Sequence, residues 1–112
     1  MRQSFTPPYP TGLSYFTGIW THQHADEPTK FWYEIDEDGS CLRQVELFAD
    51  GKLKSDAVAN YPGGATDFGF GTLHGASFWE SEWDDELDEY GQATALASIT
   101  KDDFEAAWAK AA

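Results

Sequence analysis

Polar and apolar positions alternate most cleanly between Leu42 and Lys54. In an extended chain Arg43, Val45 and Leu47 fall on one face, and Gln44, Glu46 and Phe48 on the other. Asp50-Gly51 supplies a turn, because Gly reaches φ > 0 without a Cβ clash and Asp hydrogen-bonds its own backbone. Lys52-Leu53-Lys54 then returns as the partner strand, so this stretch predicts a β-hairpin around which the remaining elements are arranged.

Upstream, Leu13 to His24 is rich in aromatic and β-branched residues that suit a pleated surface and reads as a first strand, with Trp20, His22 and His24 on one face. The polar connection Ala25-Asp26-Glu27-Pro28 leads to a second strand over Phe31–Ile35, and Asp36–Ser40 forms the turn into the hairpin. Residues 1–12 carry Pro7, Pro8 and Pro10, which remove ladder donors and fix φ, and predict an extended arm without regular structure. If Phe5 and Tyr9 are ordered, they are expected against the sheet edge.

Downstream, Ala57 to Gly75 is too rich in glycine for a helix and reads as a long loop with a short extended piece near Phe68–Leu73. Trp79, Trp83, Leu87 and Tyr90 then recur at helical spacing, Ser77 and Glu80 match a capping box, and Gly91 suits the position after a helix end. A helix is expected from Phe78 to Tyr90. Its opposite face carries seven acids, which makes it marginal unless the aromatic stripe is buried. The final segment is the clearest helix: Thr100 is the N-cap, Asp102, Asp103 and Glu105 put negative charge in or near its first turn, and Phe104, Ala107, Trp108 and Ala111 form one apolar stripe. The expected fold is therefore α+β: a four-stranded antiparallel meander in a single domain over residues 13–112, covered on one face by the C-terminal helix and by a second, acidic helix.

Composition changes this picture mainly through charge. Asp and Glu number 20 against 7 Lys and Arg, for a formal net charge of −13, so a nucleic-acid partner is unfavourable and a basic protein partner suits the sign. Aromatics make up 16% of the chain, enough large apolar area for one core of this size. The single Cys41 forms no intramolecular disulfide, which favours a reducing cytoplasm, and neither a signal peptide nor a membrane span is expected. A monomer or a homodimer is expected, and no cofactor is implied.

Three groups of residues offer chemistry. His22 and His24 lie two apart on a strand, where Asp26, Glu34 or His74 would be needed to complete a metal site; a satisfied His beside Trp20 and a solvated one is the commoner arrangement. Arg43 with Glu34 and Glu46 reads as a cross-strand charge pair, and otherwise as a carboxylate- or phosphate-binding fork flanked by Trp20 or Trp32. The acids Glu82, Asp85, Glu86 and Glu89 form either a solvated helix face or a surface for a basic partner. A Gly-rich phosphate loop, a nucleophile elbow and a Cys-His motif are all missing from the sequence, which gives a hydrolase or an NTPase no support.

Taken together, Trp20-x-His22, Asp26-Glu27-Pro28, an aromatic strand ending in Glu34, Arg43-x-Val45-Glu46-x-Phe48-x-Asp50-Gly51, Ile99, and Phe104-Glu105 with Trp108 resemble an uncharacterised family of small bacterial domains of unknown function. The Pro-rich arm and the acidic Trp79 to Tyr90 segment are longer or more charged than that pattern. The resemblance implies no chemistry residue by residue. Its members resemble small single-domain proteins found near bacterial toxin-immunity and mobile-element genes, so with the charge it points to a non-enzymatic binding protein, an immunity-like or other inhibitor of a basic protein; the alternative is a small-ligand or enzymatic site using Arg43, Glu34, His22 and Trp20.

Overall fold

The computed structural model describes residues 2–60 and 77–111. The expected extended piece at Phe68–Leu73 lies outside them. In chain order the elements are β1 (Arg2–Ser4), β2 (Ser14–Thr21), β3 (Pro28–Ile35), β4 (Cys41–Phe48), β5 (Leu53–Ala57), short 3₁₀ turns at Val58–Asn60 and Phe78–Glu80, β6 (Glu82–Asp84), β7 (Ala93–Ser98) and α1 (Lys101–Ala111). The main sheet is antiparallel with five strands in the order β5-β4-β3-β2-β7, and β1 pairs with β6 in a separate two-stranded ribbon.

The predicted hairpin is the pair β4–β5. Gly51 takes φ 89 at the turn, its N–H donates to the Phe48 carbonyl, and the Asp50 carboxylate accepts from the Lys52 N–H. The meander of four strands forms as expected. A fifth, β7, lies beside β2 with Thr17 opposite Ala97 and Ile19 opposite Ala95. Its sequence, Ala-Thr-Ala-Leu-Ala-Ser, is half alanine, a residue depleted in strands, so local preference gives it no strand signature.

The helix expected over Phe78–Tyr90 does not form. Ser77 does cap a turn, accepting from the Trp79 N–H, but the turn ends at Glu80 and the chain continues as β6. Asp84 and Asp88 account for the failure beyond it: the Asp84 carboxylate accepts from the Glu86 N–H, and Asp88 accepts from Tyr90 and Gln92. Short acidic side chains here bond to backbone groups just ahead of them, in competition with helical hydrogen bonding. The arm also differs from expectation at its start, because Arg2–Ser4 is a strand.

The two faces of the sheet are covered differently. On one, Phe16, Tyr33 and Ile35 pack with Phe78, Trp79, Trp83 and Leu96 in the main core, with Phe5 against it. The Trp79–Trp83 segment therefore lies on the face opposite α1 rather than beside the helix as expected. Three hydrogen bonds to the β3–β4 turn hold it there: the Phe78 N–H to the Gly39 carbonyl, Ser77 Oγ to the Asp38 carbonyl, and the Trp79 indole N–H to the Glu37 carbonyl. Tyr9 stacks on Trp79 and Phe5 meets Phe16, Phe78 and Trp79, so both arm aromatics join this layer instead of the sheet edge. Gly18 permits the approach, since a Cβ there would stand 2.9 Å from Trp83 Cζ3 and 3.2 Å from Tyr33 Cε2.

On the other face α1 crosses β2, β3, β4 and β5. Its start is a reciprocal cap: the Asp103 N–H donates to Thr100 Oγ1, and the Thr100 N–H to the Asp103 carboxylate, at 3.1 and 3.4 Å. Phe104 and Ala107 of the predicted stripe are buried.

Candidate functional site

Register places Tyr15, Glu34, Arg43 and Ala57 in one row across the four strands, all toward α1. The cross-strand pair expected between Glu34 and Arg43 is present and bidentate: Arg43 Nη2 donates to Glu34 Oε2 at 2.7 Å and Nε to Oε1 at 2.8 Å. Glu105, on α1, takes the other side of the guanidinium, with Nη1 to Oε1 at 2.9 Å and Nη2 to Oε2 at 3.1 Å. The Tyr15 hydroxyl donates to Glu34 Oε2 at 3.1 Å. Phe104 and Trp108 close the site, with the guanidinium carbon 4.8 and 4.9 Å from their ring centroids.

Arg43 thus fastens helix to sheet through two carboxylates and two rings. Its hydrogen bond holds the Glu34 carboxyl below the usual carboxylate range, and the same cause lowers Glu105. Burial, then the bond to Glu34, pushes the Tyr15 phenol up. A guanidinium so committed has little capacity left for a ligand's anionic group. Sequence reasoning had only the Glu34–Arg43 half of this cluster. Glu105 read as an acid near the helix start and Tyr15 as one aromatic among many; the available signal was Arg43 on a core-facing strand position, which demands carboxylate partners.

Glu46, grouped with this pair in the sequence, lies on the opposite face of β4, opposite Lys54 and Phe31. Burial raises its carboxyl, and Lys54 pulls in the other direction. Trp20 and His22 are likewise not brought to Arg43. Trp20 has the parity of Phe16 on β2, so it faces away from α1, and His22 follows the far end of that strand.

At that end Trp20, His22 and His24 cluster, with Trp20 tilted against His22 at a centroid distance of 4.0 Å and the two imidazoles stacked at 5.3 Å. His22 Nδ1 accepts the His24 N–H at 2.9 Å, which leaves Nε2 to carry the proton toward the Pro28 carbonyl at 2.8 Å. Both ring nitrogens of His22 are thereby engaged by backbone groups. His74, a candidate third ligand, lies outside the described residues. Among the described residues, no group of three or more His, Cys, Asp or Glu is placed to hold a metal ion, and no helix is long and apolar enough to cross a membrane. An open depression of about 360 Å³ between Ala25, Asp26, Phe48 and the β4–β5 turn is edged by Lys52, Lys54 and Asp50.

The acids Glu82, Asp85, Glu86 and Glu89 lie on β6 and the loop that follows, and all are exposed. Trp83, between them, is buried, with its indole N–H on Ser81 Oγ at 2.9 Å. The Asp84 N–H donates to Thr94 Oγ1, the Trp20 indole N–H to Gln92 Oε1, and the Asp88 N–H to the Gln92 carbonyl. The loop is therefore closed at its base and turned by Asp84 and Asp88. Leu87 and Tyr90, expected as part of a buried stripe, project outward instead at 66% and 75% exposure.

The model of one protein family, described as Domain of unknown function (DUF6881), matches residues 14–112, which takes in all five strands of the main sheet, the acidic loop and α1. No curated protein and no solved structure matches the chain. With the match running from the first residue of β2 through the Arg43 clamp to the last residue of the chain, the protein belongs to the DUF6881 family of small domains whose function is uncharacterised.

Proposed function

We propose that this is a non-enzymatic acidic binding protein that meets a basic protein partner through the loop from Glu82 to Tyr90. Where the covered surface is the partner's working surface, binding inhibits it, in the manner of an immunity protein. One observation carries the reading: the exposed Leu87 and Tyr90 stand among exposed carboxylates on a loop already ordered by its own turns. An aromatic anchor ringed by charge suits a protein interface, since the anchor supplies affinity and the charge speeds encounter. Pre-ordering of the loop lowers the entropy lost on binding. The net charge of −13 favours a cationic partner over any anionic one.

The test is affinity capture from source-cell lysate at low and high salt, followed by titration of the captured basic protein against Tyr90→Ala and against the triple variant Glu82→Gln, Glu86→Gln, Glu89→Gln. The expected results are salt-weakened binding, a roughly tenfold loss for Tyr90→Ala, and a slower association rate for the triple variant. Binding that ignores both salt and these substitutions would refute the reading.

A further inference from the structure

The two edges of the main sheet are unlike. β5 carries Lys54 and Asp56, charges of the kind that blunt an edge against further pairing, and α1 packs over it. β7 carries none: Ala93–Ser98 holds no charge and no proline, and among the described residues no strand pairs with its outer side, although β6 packs against β7 and its Asp84 N–H is held by the Thr94 hydroxyl. The Ile99 N–H donates to the Tyr15 carbonyl, so Ala97, Ala95 and Ala93 direct their backbone groups at β2. Thr94, Leu96 and Ser98 consequently point theirs outward. Ala95 lies opposite Ile19, which is 46% exposed, so the alanine row leaves a shallow apolar step beside this edge.

Charge selects the occupant. Between Glu82 and Thr100 the chain has Glu82, Asp84, Asp85, Glu86, Asp88 and Glu89 and no Lys or Arg, and beyond the strand's other end Asp102 and Asp103 follow Lys101, whose ammonium is turned to Glu105. In an antiparallel pairing of two copies, the acidic loop of each would lie beside Asp102 and Asp103 of the other, a repulsive arrangement. A cationic strand meets carboxylates at both ends. We propose that β7 is a strand-addition site that takes an extended, basic segment of a partner protein, with the new strand's main chain bonded to Thr94, Leu96 and Ser98 and its long side chains lying over the alanine row toward Ile19. The inference rests on the basic-partner reading for the sign of the occupant's charge, and the mode of docking is its own.

The experiment uses the full ¹⁵N-labelled chain and a synthetic eight-residue peptide alternating Lys with Val, beside a peptide of the same spacing with Glu for Lys. The expected result is slowed hydrogen exchange at the Thr94, Leu96 and Ser98 amides with the Lys peptide alone. Ser98→Pro removes one outward N–H without touching a bond to β2, and Ala97→Lys adds repulsion at an exposed site; each is expected to weaken the peptide at least tenfold at unchanged Tm. Lys-peptide binding confined to the acidic loop and indifferent to both variants overturns strand addition and leaves the basic-partner reading standing. Equal protection by the Glu peptide overturns the basic occupant. Protection that rises with protein concentration in the absence of peptide assigns the edge to a second copy and overturns the proposal, as does no binding by either peptide.

Discussion

Replacing Arg43 by Met tests the energetic argument most directly. Met keeps an apolar stem against Phe104 and Trp108 but removes four charge-assisted hydrogen bonds to Glu34 and Glu105. Glu34 decides the magnitude, since its side chain is 9% exposed and, among the described residues, would keep the Tyr15 hydroxyl alone as a partner. Stranding a fully buried charge costs about 3–5 kcal/mol. Arg43 is 22% exposed, so water screens part of the pair, and about 2–3 kcal/mol is the expected loss. At roughly 4 °C per kcal/mol for a domain of this size, Tm falls by about 8–12 °C. Urea titration should show a lower midpoint with an unchanged m-value. The double variant Arg43→Met with Glu34→Leu should recover most of the loss, because an apolar pair in place of a buried ion pair leaves no stranded charge. The reasoning fails if Arg43→Met lies within about 0.5 kcal/mol of the parent, or if the double variant loses as much as the two single ones combined.

Other outcomes follow from the same structure. Glu34 has a folded pKa below its unfolded value, so its contribution is fully present above the ordinary carboxylate range and disappears as pH falls through the folded value; stability measured from pH 7 to 3 should show a steeper acid limb in the parent than in Arg43→Met. Glu46 has the opposite sign, since burial raises its carboxyl: Glu46→Gln should stabilise the protein at neutral pH, with the gain vanishing on acidification, and a destabilised variant at pH 7 would show that the Lys54 pairing dominates. Gly18→Ala places a methyl against the Trp83 indole and should cost about 1–3 kcal/mol, together with a change in near-ultraviolet dichroism. Thr100→Ala removes the helix cap and should cost about 1 kcal/mol in urea unfolding, with Thr100→Ser much closer to the parent.

The acidic loop and the Arg43 cluster differ in how far the sequence reveals them. Glu82, Asp85, Glu86 and Glu89 are visible as a charge run wherever the backbone goes, since exposure of carboxylates is the default. Their backbone is not legible in the same way, because Trp79, Trp83, Leu87 and Tyr90 recur at helical spacing, whereas Asp84 and Asp88 bond to the backbone just ahead of them and Trp83 enters the core. For Arg43 the nearest acid across the hairpin face was legible, but Glu105 is 62 residues away and meets it only when α1 crosses the sheet.

Local pattern and composition are enough for the β4–β5 hairpin, the order of the first four sheet strands, the capped C-terminal helix and the sign of the surface charge. Each of these depends on interactions within a few residues or on composition: alternation, an Asp-Gly turn, a Thr-x-x-Asp cap and an excess of acids. Long-range packing is what makes Ala93–Ser98 a strand, puts Trp79 and Trp83 on the face opposite α1, and sets Arg43 between Glu34 and Glu105. Those outcomes come from contacts between distant segments: β2 supplies the pairing that alanines do not favour alone, Gly18 supplies the space that Trp83 fills, and a guanidinium at the sheet face needs more than one carboxylate to remain there.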